Sequence, residues 1–338
     1  MVKVAIIGAG FMGSMHAQVY QNLPNVELAA IVDVDLGRAE KLAGKYGTRP
    51  YSQIKNILIR DDIDAVDICL PTFLHPRYTV EAAKAGKHVF CEKPIALNLK
   101  DADWMIEEVE KKGMKFMVGH VLRFWPEYAK IREISESGKL GKPIFISCTR
   151  LSSPPTWAWQ GWLTDVKRSG GVLVDFHIHD IDFLLYLLGK PVSVYSKAAG
   201  IFPSYNHVFT TLDFPQGIVG VAEGGWDMPG SFPFTMSLIG LFEKGAVEFN
   251  NCYERTLIIY PENKEQEYPE IETESQTATD VEGNIAELGG YFSELKYFID
   301  CLQKGEHPDI AGGKVARDAL EVMFLAKKSL ETGKVVEI

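Results

Sequence analysis

The sequence is poor in the features that define several protein classes. Its five cysteines (Cys69, Cys91, Cys148, Cys252, Cys301) are odd in number and include no Cys-x-x-Cys pair. That argues against a disulfide framework and against a thiolate zinc site. Reduced thiols in a cytoplasmic protein are expected. There is no basic excess: 35 Lys and Arg against 45 Asp and Glu give a net charge of −10. This balance disfavours nucleic acid and anionic membranes as partners. No apolar run approaches the length of a membrane span, and there is no internal repeat. The chain enters apolar residues at once, so no leader peptide is expected.

What is present is an ordinary globular composition, 46% hydrophobic and 24% charged, spread over 338 residues. That length exceeds one ordinary core, so two domains are expected. The run Val4-Ala5-Ile6-Ile7-Gly8-Ala9-Gly10-Phe11-Met12-Gly13 reads as a buried strand, a tight glycine turn and the start of a helix. This order gives the GxGxxG spacing its meaning as a dinucleotide fingerprint. Gly8 permits the turn, Gly10 lets a backbone approach a pyrophosphate, and Gly13 lets the helix pack close to the strand. Phe11 and Met12 lie within the same turn, where the helix N-terminus offers free N–H groups to phosphates. A second apolar strand, Leu28–Val32, ends at Asp33, about twenty residues on, where such folds place a ribose-binding carboxylate. A carboxylate there repels a 2′-phosphate, so NAD is expected over NADP, with Arg38 weakening the exclusion. Asp35 reads better as a helix cap.

Further strands read at Ala65–Leu70, His88–Cys91 and Phe116–Val118, alternating with helices at Tyr78–Ala85 and Leu99–Lys111. This is the pattern of a doubly wound parallel sheet. Near residue 120 the character changes. One helix, Glu127–Glu136, precedes strand-like runs with no helices between many of them: Ile144–Thr149, Val192–Ala198, Val208–Phe214, Ile218–Ala222 and Thr235–Leu241. These predict a mostly antiparallel sheet. Pro261–Glu287 is acidic and weakly periodic, an exposed connection, and two helices follow at Tyr291–Lys304 and Val315–Leu330. The expected division is 1–121 for dinucleotide binding and 122–338 for a second, substrate-binding domain.

Strand ends on the cofactor side of such a sheet carry the chemistry. Pro71-Thr72-Phe73-Leu74-His75 and Cys91-Glu92-Lys93-Pro94 stand there. A lysine at that place can hydrogen-bond a reacting oxygen and stabilise alkoxide charge; a Lys93–Glu92 surface pair is the plain alternative. Val172 to Gly189 reads as one helix, putting Asp175, His179 and Asp182 on a single face. A carboxylate one turn from an imidazole sets its tautomer and supports proton transfer. His177 points the other way and reads as a structural histidine. A helix also separates the two imidazoles of His177-x-His179, so no metal is expected. Trp157, Trp159 and Trp162 follow Pro154-Pro155. Packing in a loop or domain interface is the plain reading of any single one of these rings, but aromatic faces also suit the C–H surfaces of a ligand, and Trp162 is the best candidate to touch substrate.

These residues resemble the Gfo/Idh/MocA oxidoreductases. The matching pieces are the Gly8–Gly13 fingerprint with His16, Pro71-Thr72 with His75, Ala85–Val89 running into Glu92-Lys93-Pro94, Val118-Gly119-His120 with Arg123-Phe124, and Gly170-Gly171 with Asp175 and His179. The likeness is collinear over nearly the whole chain. It implies an α/β protein with an N-terminal Rossmann domain and a C-terminal α/β domain bearing a large, open, mostly antiparallel sheet. It implies hydride transfer between a sugar or polyol secondary alcohol and NAD, in a homodimer or homotetramer. Lys93 would orient the hydroxyl, His179 would transfer the proton, and Asp175 would assist or bind a substrate hydroxyl. Pro71, Thr72, His75 and Glu92 would border the cofactor; His120 and Arg123 would join Lys93, Trp162, Asp175 and His179 around the substrate. Two other readings stay open: a glycosidase using bound NAD for transient oxidation, and a non-catalytic dinucleotide-responsive regulator.

Overall fold

Two sheets organise the chain. A computed structural model describes residues 1–201, 204–271 and 288–338. By packing, the chain divides into one unit of Met1–Phe124 with Glu274–Asp318 and another of Trp125–Thr273 with Ala319–Ile338. The contact division thus sets a boundary at Phe124 and returns Glu274–Asp318 to the first unit, where the sequence reading runs a single stretch from 122 onward.

The first unit follows the order β1 (Val2–Ile7), α1 (Phe11–Asn22), β2 (Val26–Val32), α2 (Leu36–Tyr46), β3 (Arg49–Tyr51), α3 (Lys55–Leu58), β4 (Ala65–Ile68), α4 (His75–Lys84), β5 (His88–Glu92), α5 (Leu99–Lys111) and β6 (Phe116–Gly119). The strands lie in the order β3-β2-β1-β4-β5-β6, and every pairing is parallel. Helices on both faces explain why the strands read as continuous apolar runs rather than alternating ones. The sequence sets the helix ends as well. Asp35 caps α2 by accepting from the Arg38 N–H at 3.3 Å, and Asn98 caps α5 by accepting from the Asp101 N–H at 2.9 Å. The strand order reverses between β1 and β4, which opens a crevice at the carboxyl ends of the strands.

The second unit holds α6 (Pro126–Ser137), β7 (Pro143–Leu151), α7 (Val166–Ser169), α8 (Ile178–Leu188) and strands β8 (Ser193–Ile201), β9 (Ser204–Asp213), β10 (Val219–Gly225), β11 (Thr235–Phe242), β12 (Gly245–Asn250) and β13 (Leu257–Pro261). Then come α9 (Gly289–Lys304), which belongs to the first unit, α10 (Gly313–Thr332) and β14 (Val336–Glu337). The eight strands run β13-β12-β11-β7-β10-β9-β8-β14, antiparallel save for the parallel pair β7–β10. Alternation decides the two faces. Ile146, Cys148, Ala222, Leu238 and Phe249 are buried beneath the helices, and Tyr128 of α6 meets Phe183 of α8 and Phe249 edge-on at 4.7 and 5.1 Å. The opposite face carries Phe209, Ile239 and Leu241, all exposed. Residues 272–287, most of the expected acidic connection, lie outside the described residues.

One polar pair sits in the covered face. Arg150 of β7 donates from Nε and Nη2 to Asp180 of α8 at 2.7 and 3.1 Å, and both side chains are buried. Burial pushes the Asp180 carboxyl up while Arg150 holds it down, and burial works against the Arg150 charge while Asp180 supports it. Breaking such a pair leaves one uncompensated buried charge, at about 3–5 kcal/mol. Arg150→Met is therefore expected to lose about that much stability in denaturant unfolding. The double variant Arg150→Met/Asp180→Leu should recover most of the loss. A single variant as stable as the unmodified chain would contradict this account.

Candidate active site

The glycine turn is set by steric necessity at two of its three positions. A Cβ on Gly8, whose φ is +111°, would lie 2.3 Å from the Cys69 carbonyl oxygen; one on Gly13 would lie 1.9 Å from the Gly8 carbonyl oxygen. Neither contact is possible, so only glycine lets α1 start this close to β1 and β4. Gly10 differs. The nearest atom to a Cβ there is Arg38 Nη2 at 3.4 Å. Nothing in the chain demands glycine at that place, and the space in front of the turn stays open. The first N–H groups of α1 point there, with Phe11, Met12 and Gly13 in its first turn. This is a cradle that fits a dinucleotide pyrophosphate.

Asp33 closes the turn from the end of β2. Its carboxylate accepts from the Ala9 N–H at 2.8 Å and from the Asp35 N–H at 3.0 Å. Asp33 thus stands beside the turn, while Asp35 is the helix cap. Arg38 donates from Nη2 to the Ala9 carbonyl at 3.2 Å, 3.9 Å from Asp33 Oδ2. The turn, the carboxylate and the guanidinium therefore form one patch, in which the negative charge is the nearer to the β2 end.

The loops after β4 and β5 form the rest of the shelf. His75 is fully buried, with Nδ1 2.9 Å from the Pro94 carbonyl and Nε2 2.8 Å from the Leu70 carbonyl. Its ring ties the Pro71-Thr72 loop to the Lys93-Pro94 loop, and burial pushes its pKa down despite those carbonyls. Both ring nitrogens lie within hydrogen-bond distance of backbone carbonyls, which fixes the ring at the edge of the shelf. Thr72 is buried and Pro71 and Lys93 are half-buried. Glu92, at the last position of β5, folds its carboxylate back to accept the Lys93 N–H at 3.2 Å. After β6, His120 is buried, and Arg123 donates from Nη1 to the Ile310 carbonyl at 2.6 Å.

Beneath the shelf lies a buried polar group. His16 of α1 places Nδ1 2.8 Å from Asp67 Oδ2 and Nε2 3.1 Å from Glu92 Oε1, with all three side chains buried. Cys69 Sγ lies 3.3 Å from both His16 Nδ1 and Asp67 Oδ1. Among the described residues His16, Asp67 and Cys69 are the one cluster with metal-type donors. His16 Nδ1, the Asp67 carboxylate and the Cys69 thiol face one another across hydrogen bonds. The signal in the sequence is Asp67 itself, a charged residue inside an apolar strand.

In the second unit, Gly170 and Gly171 both take positive φ, 82° and 67°. They admit the chain into a π-turn, Val172–Phe176, in which the His177 N–H donates to the Val172 carbonyl at 2.9 Å. The single helix expected from Val172 is thus a π-turn followed by α8. Asp175 sits on the turn and His179 in the first turn of α8, an arrangement frequent at functional sites. The Arg150–Asp180 pair fixes the residue next to His179. His177 is buried, 2.9 Å from Thr210 Oγ1, and burial pushes its pKa down to about 3, the neutral structural histidine expected. Trp157 and Trp159 are exposed and Trp162 is half-buried.

A family model described as the oxidoreductase family with NAD-binding Rossmann fold matches residues 2–120, and the GFO/IDH/MocA C-terminal domain matches residues 128–248. Among curated proteins, myo-inositol 2-dehydrogenase of Thermotoga maritima is 30% identical, covering 100% of this chain and 98% of the relative. The scyllo-inositol 2-dehydrogenase (NAD(+)) of Bacillus subtilis is 28% identical, covering 100% and 96%. A solved levoglucosan dehydrogenase, in complex with NADH and levoglucosan, superposes with a TM-score of 0.87 at 23% identity, covering 100% of this chain and 99% of that one. At that identity the last likeness speaks for the fold. Among the described residues no helix is long and apolar enough to cross a membrane. With both halves matched in order, and a relative aligned from end to end, the chain belongs to the GFO/IDH/MocA family of NAD-binding oxidoreductases.

Proposed function

We propose that this protein is an NAD-dependent dehydrogenase that moves a hydride between a secondary alcohol of an inositol, or of a related polyol or sugar, and the nicotinamide. The observation that carries the reading is Lys93. It stands at the carboxyl end of β5, one strand from the reversal of strand order, on the shelf that begins with an open Gly10. The two full-length relatives named as inositol dehydrogenases support the substrate class. The dehydrogenase names of these relatives do not favour the glycosidase alternative. Lys93 and His179 are both present, which weighs against a purely regulatory protein.

Gly8, Gly10, Phe11, Met12 and Gly13 would hold the pyrophosphate, and Asp33 the adenosine ribose, with Arg38, Pro71, Thr72 and Glu92 bordering them. Bound NAD supplies the hydride acceptor. Oxidation of an alcohol releases a hydride from carbon and a proton from oxygen. Lys93 holds that oxygen and stabilises its growing negative charge. His179 takes the proton, and Asp175 supports the imidazolium that results. Trp162, His120 and Arg123 shape the surroundings of the substrate. The protein would work in the cytoplasm, where Cys69, Cys91, Cys148, Cys252 and Cys301 remain free thiols. The uncovered sheet face with Phe209, Ile239 and Leu241 supports a homodimer or homotetramer.

Four outcomes follow. A panel of myo-inositol, scyllo-inositol and other polyols with NAD should yield NADH absorbance with at least one member. Lys93→Ala or His179→Ala should then lower kcat by roughly 10²–10⁴-fold, the range of general acid–base catalysis, while NAD still binds; full activity in either variant removes that residue from the chemistry. Asp33→Ala should narrow the preference for NAD over NADP, and equal use of NADP by the unmodified chain would contradict the role of Asp33. Light scattering at micromolar concentration should give at least a dimeric mass, and a monomeric mass would refute the sheet interface.

A further inference from the structure

Three separate stretches of the first unit converge on one carboxylate. Glu92 Oε2 accepts the Lys93 N–H at 3.2 Å, and Glu92 Oε1 lies 3.1 Å from His16 Nε2. The second contact is an ion contact rather than an aligned hydrogen bond. On the other side of the ring, His16 Nδ1 is 2.8 Å from Asp67 Oδ2. The third stretch is β6. Gly119 pairs with Glu92 in the sheet, and a Cβ on Gly119 would lie 3.2–3.3 Å from the Glu92 carboxylate. That is close enough to press on the group. Glycine at 119 therefore leaves the room that the Glu92 carboxylate occupies. His16 in turn reaches it only because Gly8 and Gly13 let α1 lie so close to the strands.

We propose that His16 and Glu92 are positioning residues for Lys93: Asp67 holds the His16 ring, His16 holds the Glu92 carboxylate, and that carboxylate fixes the peptide carrying Lys93. This rests on the reading of Lys93 as the group that holds the reacting oxygen. A dehydrogenase needs its lysine set within a fraction of an ångström, and a loop residue is rarely that well fixed by its backbone alone. The charge balance fits the role. Asp67, Glu92 and Glu294 are all buried, as is His16. Burial by itself would neutralise His16, but the neighbouring Asp67 and Cys69 together outweigh it and hold the imidazole well above its ordinary pKa. The groups around the ring are Asp67 and Cys69 of the β4 end, Glu92 of β5 and Tyr291 of α9, while Tyr20 of α1 feels Asp67, Cys69 and Glu294. Burial pushes the Cys69 thiol and the Tyr20 hydroxyl upward, so neither becomes a competing anion near neutrality. The ring thus lies between two carboxyl groups, 2.8 Å from Asp67 on one side and 3.1 Å from Glu92 on the other.

The test uses the full chain with its lysines labelled by reductive ¹³C-methylation, the Lys93 resonance being assigned by its loss in Lys93→Arg. The variants are His16→Asn, Glu92→Gln and Gly119→Ala. In each folded variant the Lys93 resonance should shift or broaden. The kcat on whichever polyol the unmodified protein oxidises should fall by roughly 10²-fold, the cost of a small misplacement of a catalytic group. In His16→Asn and Gly119→Ala, which leave every residue bordering the cofactor in place, NADH affinity, followed by fluorescence, should stay within about threefold. If His16→Asn does not fold, Gly119→Ala decides, since it displaces the carboxylate by one methyl group and keeps every charge. A merely structural role would lower the melting temperature and leave the Lys93 resonance in place. That result in the folded variants would overturn the proposal. If the unmodified chain oxidises no polyol, the proposed function fails, and the Lys93 resonance alone still judges the clamp.

Discussion

The close approach of α1 to the carboxyl ends of β1 and β4 constrains everything around it. It is a steric fact: a single methyl group on Gly8 or Gly13 would overlap a carbonyl oxygen at 2.3 or 1.9 Å. Because the helix starts so near the sheet, its free N–H groups open toward the crevice where the strand order reverses. One turn later the same closeness lets His16 reach between Asp67 and Glu92. The open turn, the buried imidazole and the Lys93 loop thus depend on one packing distance. A glycine fingerprint is usually read for what it gives the cofactor. In this chain it also decides what can lie beneath the cofactor shelf.

The parallel sheet was legible because its strands are buried on both faces. Val4–Ile7, Leu28–Val32 and Ala65–Leu70 are apolar runs bounded by glycine, aspartate or proline, and each became a strand. The short β3, Arg49–Tyr51, was not legible: three residues with a proline carry no periodicity, and the strand exists only because β2 offers it an edge. Strands β12 and β13 were missed for a related reason. They are short, and their open-face positions hold Glu248 and Tyr260 beside apolar neighbours, so neither a continuous nor a cleanly alternating pattern emerges. The return of Glu274–Asp318 to the first unit has no local signal at all, because it depends on which surface α9 packs against.

The candidate site shows the same division between local and distant causes. Gly8, Gly10, Gly13, Asp33 and Lys93 announce themselves through spacing and position at strand ends. The π-turn under Asp175 does not. Its sequence, Val172–Phe176, is as compatible with an α-helix, and the two positive-φ glycines before it offset the first turn. His75 also braces two loops, both of its nitrogens lying near backbone carbonyls, a role that its spacing in the sequence does not reveal. Asp67 is the most telling of these residues in the sequence. A carboxylate in the middle of a buried strand must have a partner, and the partner is a histidine 51 positions earlier in the chain.

The central claim is that a hydride passes directly from a carbinol carbon to the nicotinamide. Incubation of the protein with NAD and inositol deuterated at its ring carbons, followed by mass spectrometry of the nucleotide, tests it without reference to any single side chain. The account predicts NADH carrying one deuterium for each alcohol oxidised. Unlabelled NADH, or no NADH from any deuterated polyol that the protein binds, would contradict it.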